Sequence, residues 1–299
     1  MGLLRSLRSL MKPDRRQELR DRFEFERELG SGTMSRFFRV RDRQTSEIFG
    51  LKVLDVAKTK SFEARFAGLN KPCEGEIAIQ LDHPNIVRTY EYGTTTEDAP
   101  WLLMEYIEGT GVNLLRLRKD PILERQGVKE RVVRQFAEAL AYVHQQQFLH
   151  RDLCPRNLIL SPDGGTLKLI DFGLSVPMAP AFLRPGNRTG TASYMAPELI
   201  RHQEIDVRVD VFAFGVTCYE IITGHLPWES NATTSQDSHN VSQHQAIMRR
   251  TTARTRPLAE ISPKIDSSLA AAIDWCLEPD RNHRCPNMRT FLRQCSRLA

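Results

Sequence analysis

The 299-residue chain has no run of 18 or more apolar residues, so no membrane-spanning helix is expected. It has no CxxC pair either. The six cysteines, at 73, 154, 218, 276, 285 and 295, show neither zinc-site nor redox-motif spacing and are expected as reduced, mostly buried thiols in a cytoplasmic protein. A concentrated charge of one sign is also missing. Lys and Arg number 42 against 37 Asp and Glu, for a net +5, and the basic residues are scattered rather than gathered into a stripe, so no nucleic-acid partner is expected. Without a secretion signal, the sequons at Asn231 and Asn240 read as chance matches within a polar, solvated loop at 229–245. What remains, 40% hydrophobic and 26% charged residues, is ordinary globular composition, long enough for one large domain or two lobes.

The N-terminus is unlike the rest. In MGLLRSLRSLMK, Leu3, Leu7, Leu10 and Met11 share a helical stripe, with Arg5, Arg8 and Lys12 elsewhere on the wheel. Such a segment suits a peripheral membrane contact through residues 2–12, and Gly2 with Ser6 fits a myristoylation pattern. A short helix docked on the folded body, or a frayed end, ranks ahead of that reading. Residues 1–22 are expected to form a basic extension.

From residue 23 onward the pattern predicts three strands. Phe23 and Phe25 alternate with charges, and in the third strand Ile48, Gly50, Lys52 and Leu54 face opposite to Phe49, Leu51 and Val53. Between the first two lies Gly30-Ser31-Gly32-Thr33-Met34-Ser35, whose glycines allow close backbone approach and point N–H groups at phosphate oxygens. Lys52 sits within the apolar run IFGLKVL and is costly to bury unpaired. Downstream, Glu74, Ile77, Ala78 and Leu81 lie on one helical face, so Glu74 is the favoured partner; Glu76, about 200° around the axis, is the second choice.

The stretch FLHRDLCPRNLILS, residues 148–161, spaces Asp152 and Asn157 as a catalytic acid/base and a magnesium ligand would be spaced, yet it carries Cys at 154, where many such loops have Lys. With Asp171-Phe172-Gly173 and Ala196-Pro197-Glu198 following in order, the whole series resembles the eukaryotic-type protein kinases, most closely the serine/threonine kinases. The resemblance runs over roughly residues 23–297 and includes a central helix bearing Asp210 and a late Arg284 placed to pair with Glu198. It implies an α+β, bilobal kinase fold: a kinase domain at 23–299, with a mainly antiparallel β lobe to about 103, a hinge at about 104–112 and a mainly helical lobe from about 113 to 299.

The same resemblance implies ATP and Mg2+ as cofactors and a protein substrate. Lys52, fixed by Glu74, would hold the α- and β-phosphates; Asp171 and Asn157 would bind metal; Asp152 would orient the substrate hydroxyl and accept its proton. Gly30, Ser31 and Gly32 would cover the phosphates. Met104 would flank adenine, the backbones of Glu105 and Ile107 would bond it, Ile159 would close its slot from below, and Asn113 would meet the ribose. His150, Phe172 and Ala78 would belong to an apolar stack rather than to the chemistry.

Several positions depart from the family pattern. Ser35 stands at the third glycine, Gly50 at the usual Ala, Phe37 at the usual Val and Cys154 at the usual Lys. Gly50 and Phe37 share a sheet face, so a lost methyl and an added ring are expected to compensate in volume. Arg156 is the expected source of the charge that Cys154 lacks. RTGTASYMAPE has the Ser/Thr-kinase form, with Thr191 bonding Asp152, whereas Arg156 resembles the tyrosine-kinase loop; the activation segment is given more weight. Among its hydroxyls Thr189 is the favoured phosphorylation site, with Arg151 as phosphate partner. Two other function classes are set against the kinase: a nucleotide-binding pseudokinase, disfavoured because Lys52, Asp152 and Asp171 are all present, and a small-molecule phosphotransferase, disfavoured by the Ala-Pro-Glu segment.

Overall fold

A computed structural model describes residues 16–32, 34–185, 189–228 and 255–296. The expected membrane-surface segment at 2–12 and the polar loop at 229–245 lie outside them. Among the described residues no helix is long and apolar enough to cross a membrane. The chain divides into two compact units, the first running to Asp82 and resuming at Val87–Ile107, the second made of His83–Ile86 and everything from Glu108.

The first unit is built on β1 (Arg16–Gln17), α1 (Leu19–Arg22), β2 (Phe23–Ser31), β3 (Ser35–Asp42), β4 (Ile48–Leu54), α2 (Val56–Glu63), α3 (Glu74–Ala78), β5 (Thr89–Thr95) and β6 (Pro100–Glu105). Its six strands run in the order β1-β5-β6-β4-β3-β2, and only the β1–β5 pair is parallel. Alternation in β2 to β4 turns Phe23, Val40 and Leu51 onto one face, where Leu19, Trp101 and Leu103 complete a core. Residues 16–22, expected within an extension, are part of this unit. Arg16 and Gln17 pair with Thr94 and Thr95, Leu19 is buried, and the Arg22 guanidinium bonds Asp42 at 3.0 Å and both Glu91 oxygens at 2.6 and 2.9 Å. The strand partners of Arg16 and Gln17 and the two carboxylates that hold Arg22 all come from far along the sequence, so no local period announced this segment.

The second unit contains β7 (Thr110–Gly111), α4 (Val112–Leu117), α5 (Val128–Gln145), β8 (Phe148–Leu149), β9 (Leu158–Leu160), β10 (Leu167–Leu169), β11 (Val176–Pro177), α6 (Pro197–Ile200), α7 (Arg208–Thr223), α8 (Leu258–Ile261), α9 (Ser267–Cys276) and α10 (Met288–Ser296). Helix α7 is buried all round from Val209 to Ile222, a mostly apolar run that also takes Asp210, Thr217 and Glu220 inside, and ends at Gly224 with φ of 82°, a left-handed cap that glycine adopts without strain. The architecture is the α+β arrangement expected from the sequence, strands concentrated in one unit and helices in the other.

One joint in the helical unit is sensitive to protonation. The Leu258 N–H at the start of α8 donates to Asp274 on α9, 3.0 Å from Oδ2. Burial, with some help from Glu260, pushes the Asp274 carboxyl up to about 6 despite that bond. An unfolded Asp titrates near 3.9, so between these values the folded chain binds the extra proton. Stability from this group therefore falls as pH rises through the window, and the penalty is complete above about 6. Asp274→Asn keeps an acceptor for Leu258 without the charge. It is expected to raise Tm by roughly 2 °C at pH 7.5 and by less at pH 5. A melting curve at each pH checks this; a lowered Tm at pH 7.5 would show that the charge is needed.

Candidate active site

In the first unit the Gly-rich turn closes through Gly32 N–H donating to Ser35 O at 2.7 Å, and Gly30 stands opposite Phe37 in the β2–β3 ladder. Ser35 is buried, so its short side chain fits where the family pattern has glycine. One strand over, Lys52 pairs in register with Phe37. Its ammonium lies 2.5 Å from Glu74 Oε1 and 5.5 Å from the Phe37 ring centroid. Both charged side chains are inaccessible, at 3% and 7% exposure, where an ion pair is screened little by water. The choice between the two carboxylates follows from the cap. Glu76 Oε2 accepts the Cys73 N–H at 2.8 Å, closing the first turn of α3 on itself, while Glu74 points inward with Ile77 and Ala78. The helix is shorter than its apolar stripe. After Ile79 the bonds tighten to i−3, so Leu81 is buried from a turn rather than from helix.

Gly50 pairs with Met104, and a Cβ there would lie 3.2 Å from Glu105 O. Its missing methyl thus admits the end of β6, where Met104 and Glu105 sit, and Ile107 follows as the unit's last residue. Ala78 is buried in α3.

In the second unit the catalytic-loop candidates hang on Asp210. This buried carboxylate on α7 accepts the His150 N–H at 2.8 Å, the Arg151 N–H at 2.9 Å and a contact from His144 Nε2 at 2.9 Å. Burial alone would raise its pKa, but the His144 bond and charge, with the loop amides, hold it below the usual carboxylate value. The clamp fixes Arg151 at φ of 68°, a conformation that a non-glycine residue adopts only when its surroundings impose it. His150 is wholly buried with its ring 5.0 Å from Phe172, and burial pushes its pKa down against the pull of Asp210, Asp152 and Asp171. A buried, packed imidazole is what the sequence reading expected there.

Asp152 projects from this loop into four donors. Its Oδ1 accepts Thr191 Oγ1–H at 2.7 Å and Thr191 N–H at 3.0 Å; its Oδ2 accepts Asn157 Nδ2 at 3.1 Å and Arg156 at 3.5 Å. Arg156 also reaches Thr191 Oγ1 at 3.2 Å. Because Asn157 spends its amide nitrogen on Asp152, including the backbone O at 2.7 Å, its Oδ1 is the atom left for a metal. Ile170 N–H donates to Asn157 O at 3.0 Å, and Asp171 is the next residue. A carboxylate and an amide oxygen are hard donors of the kind a divalent metal takes. Asp171 has φ of 67° and accepts the Gly173 N–H at 3.1 Å. Cys154 is buried, and its thiol is pushed up to about 11 by burial and by the Asp152 charge. Ile159 lies on β9, paired with Gly111, and Asn113 is in the first turn of α4.

Some residues in this half were not singled out from the sequence. Gly190, with φ of 117°, lies so close to Arg151 that a Cβ would come within 2.5 Å of its carbonyl O, so only glycine lets Thr191 reach Asp152. Its signal was the Gly between two threonines in RTGT. Tyr194 donates to Glu220 Oε2 at 2.5 Å, and Glu220 Oε1 lies 2.7 Å from Arg116; burial and the Glu220 bond keep the phenol protonated. Glu198 and Arg284, the pair that the sequence did point to, are buried and joined by two bonds of 2.6 and 3.0 Å. Thr189, the favoured modification site, is buried here with no hydrogen-bond partner for its hydroxyl, so a modifying enzyme would need the segment to open.

The protein kinase domain model matches residues 23–294. The chain belongs to the protein kinase family. It is 31% identical over 255 residues to the serine/threonine-protein kinase pkn3 of Myxococcus xanthus, covering 82% of this chain and 45% of that protein. It is 30% identical over 280 residues to the serine/threonine-protein kinase PknB of Mycolicibacterium smegmatis, covering 90% and 42%. To Aurora kinase A-B of Xenopus laevis it is 32% identical over 268 residues, covering 88% and 59%. The alignments thus span 42% to 59% of these three relatives. Proteins of this family use ATP and a divalent metal.

Proposed function

We propose that the chain is an ATP-dependent protein kinase that transfers the γ-phosphoryl group to serine and threonine hydroxyls of protein substrates. The observation that carries this reading is the Thr191–Asp152 bond of 2.7 Å, which ties the activation segment to the catalytic carboxylate. Asp152 orients the substrate hydroxyl and accepts its proton. Lys52, held by Glu74, binds the α- and β-phosphates, with the backbone of Gly30, Ser31 and Gly32 over them. Asp171 and Asn157 hold Mg2+, which when bound neutralises phosphate charge. Phe37, Gly50, Met104, Ile159 and the backbones of Glu105 and Ile107 take the adenine; Asn113 takes the ribose. Arg156 supplies the positive charge that a neutral Cys154 does not. The six free thiols are in keeping with a cytoplasmic setting, and the N-terminal segment is the candidate for any membrane contact.

Incubation with γ-labelled ATP, Mg2+ and a generic basic protein is expected to label serine and threonine, and Asp152→Asn to abolish the label. Phosphotyrosine as the main product would replace the Ser/Thr assignment by a tyrosine one. Nucleotide binding with no label in any protein would make the chain a pseudokinase.

A further inference from the structure

The pair Lys52–Glu74 depends on a helix that cannot hold itself. Helix α3 is five residues long, and Glu74 is its first residue. Helices so short are not stable alone. Its flank rests on β5, where Gly75 lies so close to Tyr92 that a Cβ would sit 2.4 Å from the ring. That contact sets how near the helix lies but not where along the strand it begins.

Just ahead of the helix is an unusual lysine. The Lys71 side chain is 2% exposed, and its ammonium lies 3.0 Å from Glu63 Oε1 and 3.1 Å from Pro72 O. It also lies 5.3 Å from the Phe62 ring centroid and 5.5 Å from that of Phe66, two rings packed edge to face. The chain turns back to reach them, through Gly68 at φ of 79° and Asn70 at 49°. From Lys71 onward nothing is left loose. The side chain closes on Pro72 O, Pro72 has a fixed φ, Cys73 N–H bonds Glu76, and Ile77 N–H bonds Cys73 O at 3.1 Å. A buried ammonium is an expensive filler for a space that Met or Leu would fill more cheaply, but it is directional.

We propose that Lys71 is a positioning residue for the Lys52–Glu74 pair: clasped by Glu63 and the rings of Phe62 and Phe66, it sets where α3 starts and so holds the Glu74 carboxylate on Lys52. This rests on the kinase reading for its effect on turnover but not for its effect on the helix. Lys71→Met keeps the stem and removes the charge. It is expected to lower kcat by about 10-fold or more, as misplacement of a catalytic group does, and Lys71→Arg to restore most of it. In a Glu74→Gln background, Lys71→Met should cost less than about 2-fold further, because the two act through one contact. Hydrogen exchange should rise over residues 73–81 in Lys71→Met while residues 48–54 stay as in the wild type. If Lys71→Met does not fold, Phe62→Leu with Phe66→Leu removes the ring faces while keeping apolar bulk, and the same exchange pattern is expected. Unchanged exchange over 73–81, or a loss that multiplies in full in the Glu74→Gln background, overturns the proposal. A wild-type protein that transfers no phosphate overturns the kinase reading instead and leaves the exchange measurement as the test of Lys71.

Discussion

Lys52→Met is expected to cut kcat/KM for ATP by about 10²–10³-fold or more, the scale of removing a preorganised charge from a transition state, and to lower stability at the same time. The second effect comes from burial. With Lys52 and Glu74 at 3% and 7% exposure, methionine leaves a carboxylate with its ion-pair partner gone and little water to replace it. Breaking such a pair from one side costs about 3–5 kcal/mol, part of which protonation of Glu74 can recover. Lys52→Met with Glu74→Leu removes both charges and is expected to regain most of the lost Tm while activity stays down. Melting curves and steady-state kinetics on the three proteins separate the two effects. Near-normal turnover in the single variant, on carefully purified protein, would remove Lys52 from the phosphate site. An unchanged Tm would mean that the pair is not closed in solution.

Arg156→Ala is expected to lower kcat by about 10²-fold with little change in KM for ATP, the pattern of an interaction made mainly in the transition state. Cys154 is buried beside Asp152, and its thiol pKa of about 11 keeps it neutral at working pH. An arginine guanidinium is a planar cation with five N–H donors. One of its nitrogens meets Asp152 at 3.5 Å and Thr191 at 3.2 Å, and the side chain is 57% exposed, which leaves donors to face an incoming phosphate. Cys154→Ala should do little, and Cys154→Lys should partly rescue Arg156→Ala, since a lysine there can direct its ammonium toward Asp152. Wild-type kcat in Arg156→Ala would sink the compensation idea, and Cys154 would then mark a weakened kinase. A raised KM for the protein substrate at unchanged kcat would make Arg156 a substrate-binding residue.

Periodicity carried much of this molecule into view before any coordinates. A strand alternates at period 2 and a helix turns at 3.6, so burial of one face is written locally. That is why β2 to β4 and the inward stripe of Glu74, Ile77 and Ala78 were legible, whereas the central helix α7 came with the family resemblance. The order of motifs around Lys52, Asp152, Asn157 and Asp171 carried the family in the same way. Partnership across the chain is not written locally. Glu74 and Glu76 were both open to Lys52 until the cap on Cys73 claimed Glu76. That Asp210 would seize two loop amides some 60 residues away, that Gly190 would make room at Arg151, and that Arg22 would tie residues 16–22 to Asp42 and Glu91, are products of packing. A hydrogen bond or ion pair goes to whichever group the closed chain brings within about 3 Å, and that choice is made by the tertiary structure once burial has removed water as the competing partner.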